Sequence, residues 1–410
     1  MKILHINYSD INGGAAKAAK RIHDSILNYG LQSNFLVKEK FSNEKNIIKL
    51  QSSPFNIFIS RLQNYLDRFI LKLHQSDNKI IHSPSFFSNK YLKYINESDA
   101  DIVNLHWIQG NTLSIKDVAR INKPMVWTLH DMWAFCGAEH YTSDTRWTEG
   151  YKKNNRPHHE SGFDINLWTW QRKKKNWKKP IQIVSPSNWL ANCVSESDLM
   201  GNWPVDIIPY PIDHNFWSPI DKKLSRKNLN LRNDVKLLLF GAMGGIQDPR
   251  KGFDLLISAL KNIKGNISNL EILIFGQSAP QKKMDFGFPV KFLGNINDHS
   301  KLRALYSASD IFALPSRQDN LPLTCIEALS CGLPVIAFNS SGPPSMIEHK
   351  NFGYLSEPYD TIDFANGIKW ILDNLSKKQL NEAAINFSKK KFSPMKIAQQ
   401  YFKVYQKVLN

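Results

Sequence analysis

The sequence predicts an α/β protein built from two doubly wound, Rossmann-like domains. Three observations carry that expectation. Short apolar runs suited to buried strands alternate with stretches long enough for helices, once between residues 2 and 184 and again between 235 and 338. The length of 410 residues exceeds one ordinary core, and at about 150 residues per domain two or three domains are expected. Between the two series, Ile207-Ile208-Pro209-Tyr210-Pro211-Ile212-Asp213 reads as a short strand followed by proline punctuation.

The first series opens with a strand from Lys2 to Tyr8, a turn at Gly13-Gly14 and a helix from about Ala15 to Leu27. Apolar runs follow at Phe35-Leu36-Val37, Ile102 to Leu105, Met125 to Trp127 and Ile181 to Val184. Residues 40–100 are the least readable part. The charged segment from Asp221 to Asn233 reads as a surface loop.

The second series begins with a strand from Val235 to Phe240 and a helix from Asp254 to Leu260. Strands at Leu270 to Phe275 and Val290 to Leu293, a helix at Ser300 to Ser307 and a strand at Ile311 to Leu314 continue it. A loop and short helix from Pro315 to Leu329 then lead through Gly332 and Pro334 into the strand Val335 to Phe338. Helical sequence returns over Thr361 to Asn374 and Ser376 to Lys390. The amphipathic tail from Pro394 to Leu409 is a further helix. The expected division is 1–210, 211–393 and a C-terminal helix over 394–410.

Composition narrows the class. Hydrophobic content of 42% and charged content of 22% are those of a soluble globular chain. No apolar run approaches the roughly 18 residues needed to span a bilayer. The start, Met1-Lys2-Ile3-Leu4-His5-Ile6-Asn7, turns polar too early for a signal peptide, so a cytoplasmic location is expected. Cys136, Cys193, Cys325 and Cys331 are scattered without a C-x-x-C pair, and neither a disulfide framework nor a metal site is expected. The formal charge of +17 calls for an anionic partner. No nucleic-acid module accompanies it, so nucleic acid is not expected.

Residues 147–179 are the most basic stretch, with Lys152, Lys153, Arg156, Arg172, Lys173, Lys174, Lys175, Lys178 and Lys179 interspersed with Trp147, Trp168, Trp170 and Trp177. A solvated face is the bland reading. Contact with an anionic membrane surface is the functional one, with Lys173, Lys174 and Lys175 as surface charges.

One loop and helix carry the sharpest signal. Asp319 lies in the loop after the strand Ile311 to Leu314, and Glu327 lies about a turn and a half into the next helix. The helix N-terminus, near Asn320 and Leu321, falls between the two acids and offers free N–H groups to a phosphate. An anion flanked by two hydroxyl-binding carboxylates is what a nucleotide sugar requires. The competing reading is an ordinary buried helix with two solvated acids.

The segment resembles the E-x7-E signature of retaining glycosyltransferases of the GT-B fold, in family four of the sequence classification. Asp319 stands in place of the first glutamate and Glu327 matches the second. Asn320-Leu321-Pro322 after the first acid resembles a subgroup linked to colanic acid and other exopolysaccharides. The resemblance implies two Rossmann-like domains facing across a cleft, with the C-terminal helix crossing back to the N-terminal domain. It implies transfer of a hexose from a nucleotide diphosphate sugar to a glycan or lipid-linked glycan, with no cofactor and no metal.

It also implies roles for residues that match the family pattern. Gly13 and Gly14 form a loop near donor phosphate and acceptor. His130, at the end of the strand reaching Trp127-Thr128-Leu129, contacts the donor sugar, while Asp131 either orients that ring or caps the next turn. His106, read from its place at a strand end beside the same crevice rather than from the resemblance, is an acceptor contact or a packing or capping residue. Lys251 binds the diphosphate, and Arg250 substitutes for an arginine that many members carry where Ala242 and Met243 stand here. Gly276 lies where the base would bind, and Tyr210 occupies a linker position where asparagine is common. A GT-B epimerase or phosphorylase, and a binding protein without activity, are the rival readings.

Overall fold

Strands buried on both faces read as unbroken apolar runs, and the chain has two groups of them. The computed structural model describes every residue except 52, 89, 242, 243, 282, 283 and 376–378. Two units form: Met1–Pro211 together with Pro394–Asn410, and Ile212–Ser393.

The first unit holds a 7-stranded sheet in the spatial order Ile47–Lys49, Gln32–Glu39, Lys2–Ser9, Ile102–Leu105, Met125–Thr128, Gln182–Ser185, Val205–Ile207. All its pairings are parallel. The chain winds outward one way from Lys2–Ser9 and then returns to add Ile102–Leu105 on its other side. That reversal opens a crevice at the carboxyl ends of those two strands. Helix Gly14–Asn28 lies next to this edge and buries Ala16, Ala18, Ala19, Ile22 and Ile26.

The C-terminal helix Pro394–Leu409 is part of the first unit. Tyr401 and Tyr405 are fully buried, and their hydroxyls meet Thr128 Oγ1 at 3.1 Å and Asn104 Nδ2 at 2.8 Å. Two polar side chains on adjacent strands are thereby satisfied by one helix, which fixes its register.

The second unit holds a 6-stranded parallel sheet in the order Val290–Phe292, Leu270–Phe275, Lys236–Gly241, Ile311–Leu314, Val335–Phe338, Gly353–Ser356. Its crevice lies between Lys236–Gly241 and Ile311–Leu314, the point where the order reverses. Helices Phe253–Asn262 and Thr361–Asn374 bury Leu256, Leu260, Phe364 and Ile368 in its core. Of the helix expected from Ser376, residues 376–378 lie outside the described residues, and Gln379–Lys391 is helical.

Two expectations are corrected, and the least readable stretch gains a structure. The segment 221–233 is not a plain surface loop: Asp221 caps a helix, Lys222–Asn228, and Arg226 is buried. Its guanidinium pairs with Asp310 at 2.8 Å and donates to the carbonyls of Ala308 and Val235, so charge density misread a satisfied buried ion pair as solvent exposure.

Residues 40–100 include a 19-residue helix, Pro54–Lys72. Phe55, Phe58, Leu62, Tyr65 and Phe69 recur at helical spacing there, a signal that sequence reasoning missed, and they are exposed.

The basic, Trp-bearing stretch includes a helix, Ile165–Asn176, that buries part of its lysines and tryptophans. Trp170 and Trp177 are buried, and so is Lys173, whose ammonium donates to the carbonyls of Trp133, Cys136 and Gly137. Lys174, Lys175, Lys178 and Lys179 remain exposed. Among the described residues no helix is long and apolar enough to cross a membrane.

Candidate functional site

In the second unit, Lys251 and Asp319 meet at the crevice. Lys251 ends a short 3-10 turn, Pro249–Lys251, and Asp319 lies in the loop after Ile311–Leu314. Lys251 Nζ stands 2.6 Å from Asp319 Oδ2. The sequence distance between them is erased by strand order, because each loop leaves one of the two strands flanking the reversal.

Glycine packs these loops together. Gly252 has φ of +64°, and a Cβ there would lie 1.8 Å from the carbonyl oxygen of Pro315. Any side chain would push the two loops apart. Arg317 N–H donates to the Arg250 carbonyl at 2.7 Å, and the Arg317 guanidinium bridges to Asp254 at 2.6 Å. From the other side, Asp319 N–H donates to Ser341 Oγ at 3.1 Å and Gly342 N–H donates to the Asp319 carbonyl at 2.9 Å. A Cβ on Gly342 would fall 1.3 Å from the Asn320 oxygen. Sequence reasoning missed Ser341 and Gly342; a Ser-Gly pair after a strand was the available signal.

Helix Leu323–Ser330 starts just beyond Pro322, with Asn320 and Leu321 buried immediately before it. Glu327 is buried in this helix, and its Oε2 accepts from the Tyr306 hydroxyl at 3.1 Å. Arg250 is tied to Asp248 at 2.6 Å, which holds its guanidinium beside the Lys251 turn. Ala242 and Met243 lie outside the described residues. Gly276 ends the strand Leu270–Phe275 with φ of +86°, and its N–H donates to the Gly294 carbonyl at 2.8 Å.

In the first unit, Gly13 caps helix Gly14–Asn28 with φ of +92°, a backbone state open chiefly to glycine. Space is open around both Gly13 and Gly14. His106 and His130 follow the adjacent strands Ile102–Leu105 and Met125–Thr128, and they are hydrogen bonded, His106 Nδ1 to His130 Nε2, at 3.0 Å. The contact extends in both directions. His106 Nε2 meets His5 Nδ1 at 2.8 Å, and His130 Nδ1 meets the Tyr210 hydroxyl at 2.7 Å. Three imidazoles and a phenol thus form one continuous chain. His5 and Tyr210 were not identified as site residues by sequence reasoning, although a histidine inside the apolar strand Lys2–Ser9 was a signal.

Both ring nitrogens of His130 are engaged within the protein, so a sugar hydroxyl would have to compete with His106 or Tyr210. Burial drives the imidazoles toward the neutral form: His130 is lowered to about 4, against a weaker opposing pull from Asp131, and His5 and His106 lie well below the usual histidine value. Asp131 accepts from His140 Nδ1 at 2.6 Å and from the Trp133 N–H at 3.0 Å. Burial opposes its ionisation, but His140 and these bonds hold its carboxyl below the ordinary range. It caps the turn and pairs with His140. A small cavity is lined by His106, Trp107, Gln109, His130, Asp131 and Trp133 among others.

Residues 221–390 match the family model described as glycosyl transferases group 1. The chain is 32% identical over 132 residues to an uncharacterized glycosyltransferase of Haemophilus influenzae, covering 30% of this chain and 36% of that protein. It is 29% identical over 179 residues to a D-inositol 3-phosphate glycosyltransferase of Mycobacteroides abscessus, covering 41% and 39%. The chain thus spans well under half the length of these relatives.

Solved structures match along the full length. Sucrose-phosphate synthase of Thermosynechococcus elongatus aligns with a TM-score of 0.69 at 17% identity, covering 100% of this chain and 99% of that one. HepE of Anabaena, solved with UDP and glucose, aligns with a TM-score of 0.64 at 16% identity, covering 99% of each. The whole chain has the α/β GT-B fold, and residues 221–390 match the group 1 glycosyl transferases.

Proposed function

We propose that this chain is a retaining glycosyltransferase that moves a hexose from a nucleotide diphosphate sugar to a glycan, lipid-linked in the form we favour, during surface polysaccharide synthesis. The observation that carries the proposal is the Lys251–Asp319 pair at the crevice of the second unit, beside the start of helix Leu323–Ser330. A cation, a carboxylate and a helix N-terminus together suit a diphosphate bearing a sugar.

In this reading Lys251, Arg250 and the helix N-terminus stabilise the departing diphosphate. Asp319 binds a sugar hydroxyl and Glu327 the ribose, while Gly276 lies beside the base. Gly13, Gly14, His106 and His130 are assigned to the acceptor and the sugar. Fixed cations and dipoles neutralise the leaving group without a metal, and the leaving phosphate takes the acceptor proton. The group 1 match supports glycosyl transfer as the reaction class. The UDP and glucose of the HepE structure support a nucleotide-sugar donor. The residues after Asp319 favour the colanic acid and exopolysaccharide branch.

A thermal-shift screen across nucleotide sugars, followed by turnover with the stabilising donor, tests the proposal. Transfer should persist in excess EDTA, and Glu327→Ala should raise the donor KM and cut turnover. Epimerised or phosphorolysed product would establish the first rival reading, and donor binding without turnover the second.

A further inference from the structure

Helix Pro54–Lys72 belongs to the first unit and carries an aromatic stripe that is exposed. Phe55, Phe58, Leu62, Tyr65 and Phe69, with Leu73 just past its end, recur every three or four residues and form one stripe. They are 46–70% exposed, although such a stripe ordinarily faces a core. The half-buried side carries Ile59, Ile70 and Leu71 together with Ser60, Gln63 and Asp67, so polar groups take part in seating the helix. Asn64 Oδ1 accepts from Asn111 Nδ2 at 2.9 Å, Gln63 reaches the Ser88 carbonyl, and Asp67 lies among the charges of Lys38 and Arg172. These contacts fix the helix so that the aromatic stripe points away from its own unit.

Charge identifies the occupant. Arg61, Arg68 and Lys72 are exposed and share a helical edge directly beside the stripe, at spacings of seven and four residues. An apolar arc bordered by a row of cations suits the boundary between acyl chains and anionic headgroups. A second copy of the chain fits less well, since each copy carries a formal charge of +17 and its own basic row. At 1.5 Å per residue the helix is about 28 Å long, enough to lie along a bilayer surface.

We propose that helix Pro54–Lys72 docks the protein in-plane on bilayers containing anionic lipid, with Phe58, Tyr65 and Phe69 inserted and Arg61, Arg68 and Lys72 at the headgroups. The surface differs from the lysine-rich stretch 147–179 and stands independently of the transfer reaction.

Co-sedimentation of the full chain with phosphatidylcholine vesicles, with and without phosphatidylglycerol, tests it. Wild type should pellet with the anionic vesicles and much less with the neutral ones. Phe58→Ser combined with Tyr65→Ser and Phe69→Ser should weaken partitioning by roughly a hundredfold. Arg61→Glu with Arg68→Glu and Lys72→Glu should abolish the preference for phosphatidylglycerol. Circular dichroism melts check that each variant folds. If the serine variant fails to fold, the glutamate variant and the salt dependence of wild-type binding decide. Wild type remaining in the supernatant with both vesicles, or a folded serine variant that pellets like wild type, would overturn the proposal. So would a wild-type dimer that the serine variant converts to monomer without any vesicle binding.

Discussion

The Tyr210 hydroxyl lies 2.7 Å from Nδ1 of His130, with the two rings stacked at 5.4 Å. Tyr210 is buried at the end of the first unit's sheet, and this bond completes the chain that begins at His5. Because each neutral imidazole has one proton, the chain's direction fixes which nitrogen of His130 donates.

Tyr210→Phe should therefore keep the stacking but release His130 Nδ1. A stability loss of about 1 kcal/mol is expected in urea melts, the usual worth of one buried hydrogen bond. If His130 holds the sugar, KM for the donor should change as well. No change in either measurement would mean that the bond is not made in solution.

The buried imidazoles should make the fold acid-labile. Their folded values lie below the unfolded value of about 6.5, with His130 at about 4 and His23 at about 3. The unfolded chain then binds protons that the folded chain does not, so stability is present in full above about pH 6.5. It falls as pH drops toward about 4, by about 1.4 kcal/mol per pH unit for each such histidine. Melting temperatures across that range check this, and a flat profile would show that the rings are solvated.

Lys251→Ala should weaken nucleoside diphosphate binding by roughly tenfold or more, because charge-assisted bonds to phosphate contribute on the order of 1.5–3 kcal/mol. Affinity for the free nucleoside should hardly change. Titration calorimetry with both ligands separates the two, and equal losses would remove Lys251 from the phosphate site. The variant also leaves Asp319 without its 2.6 Å ion-pair partner, so its melting temperature should be recorded alongside.

Lys173 and Lys174 are neighbours with opposite roles. Lys173→Met removes the donor to three carbonyls while keeping an apolar stem, and should destabilise by about 2–4 kcal/mol. Lys174→Glu, at an exposed position, should stay within about 1 kcal/mol of wild type. Chemical denaturation of the two variants tests the pair of values, and equal effects would place Lys173 at the surface.

Both sheets were legible in the sequence because a strand covered on two faces must be apolar throughout. Ile311–Leu314 and Val335–Phe338 stand in the structure as they read in the chain. Helix Leu323–Ser330 was legible for a related reason: its apolar residues recur at helical spacing between a loop and Gly332. The acids Asp319 and Glu327 could be picked out from that frame, since a loop and a helix start at a strand's carboxyl end are local features.

What joins residues distant in the chain was decided only by tertiary structure. Lys251 meets Asp319 because strand order reverses between the strands that precede them, and no local pattern encodes that order. His5 and Tyr210 entered the His106–His130 chain for the same reason. Burial of charge was equally hidden. A lysine in a basic run is solvated in most contexts, and Lys173 is buried because three carbonyls converge on it from another segment. Periodicity records which residues share a face, while packing alone determines whether that face meets a core or, as along Pro54–Lys72, points outward.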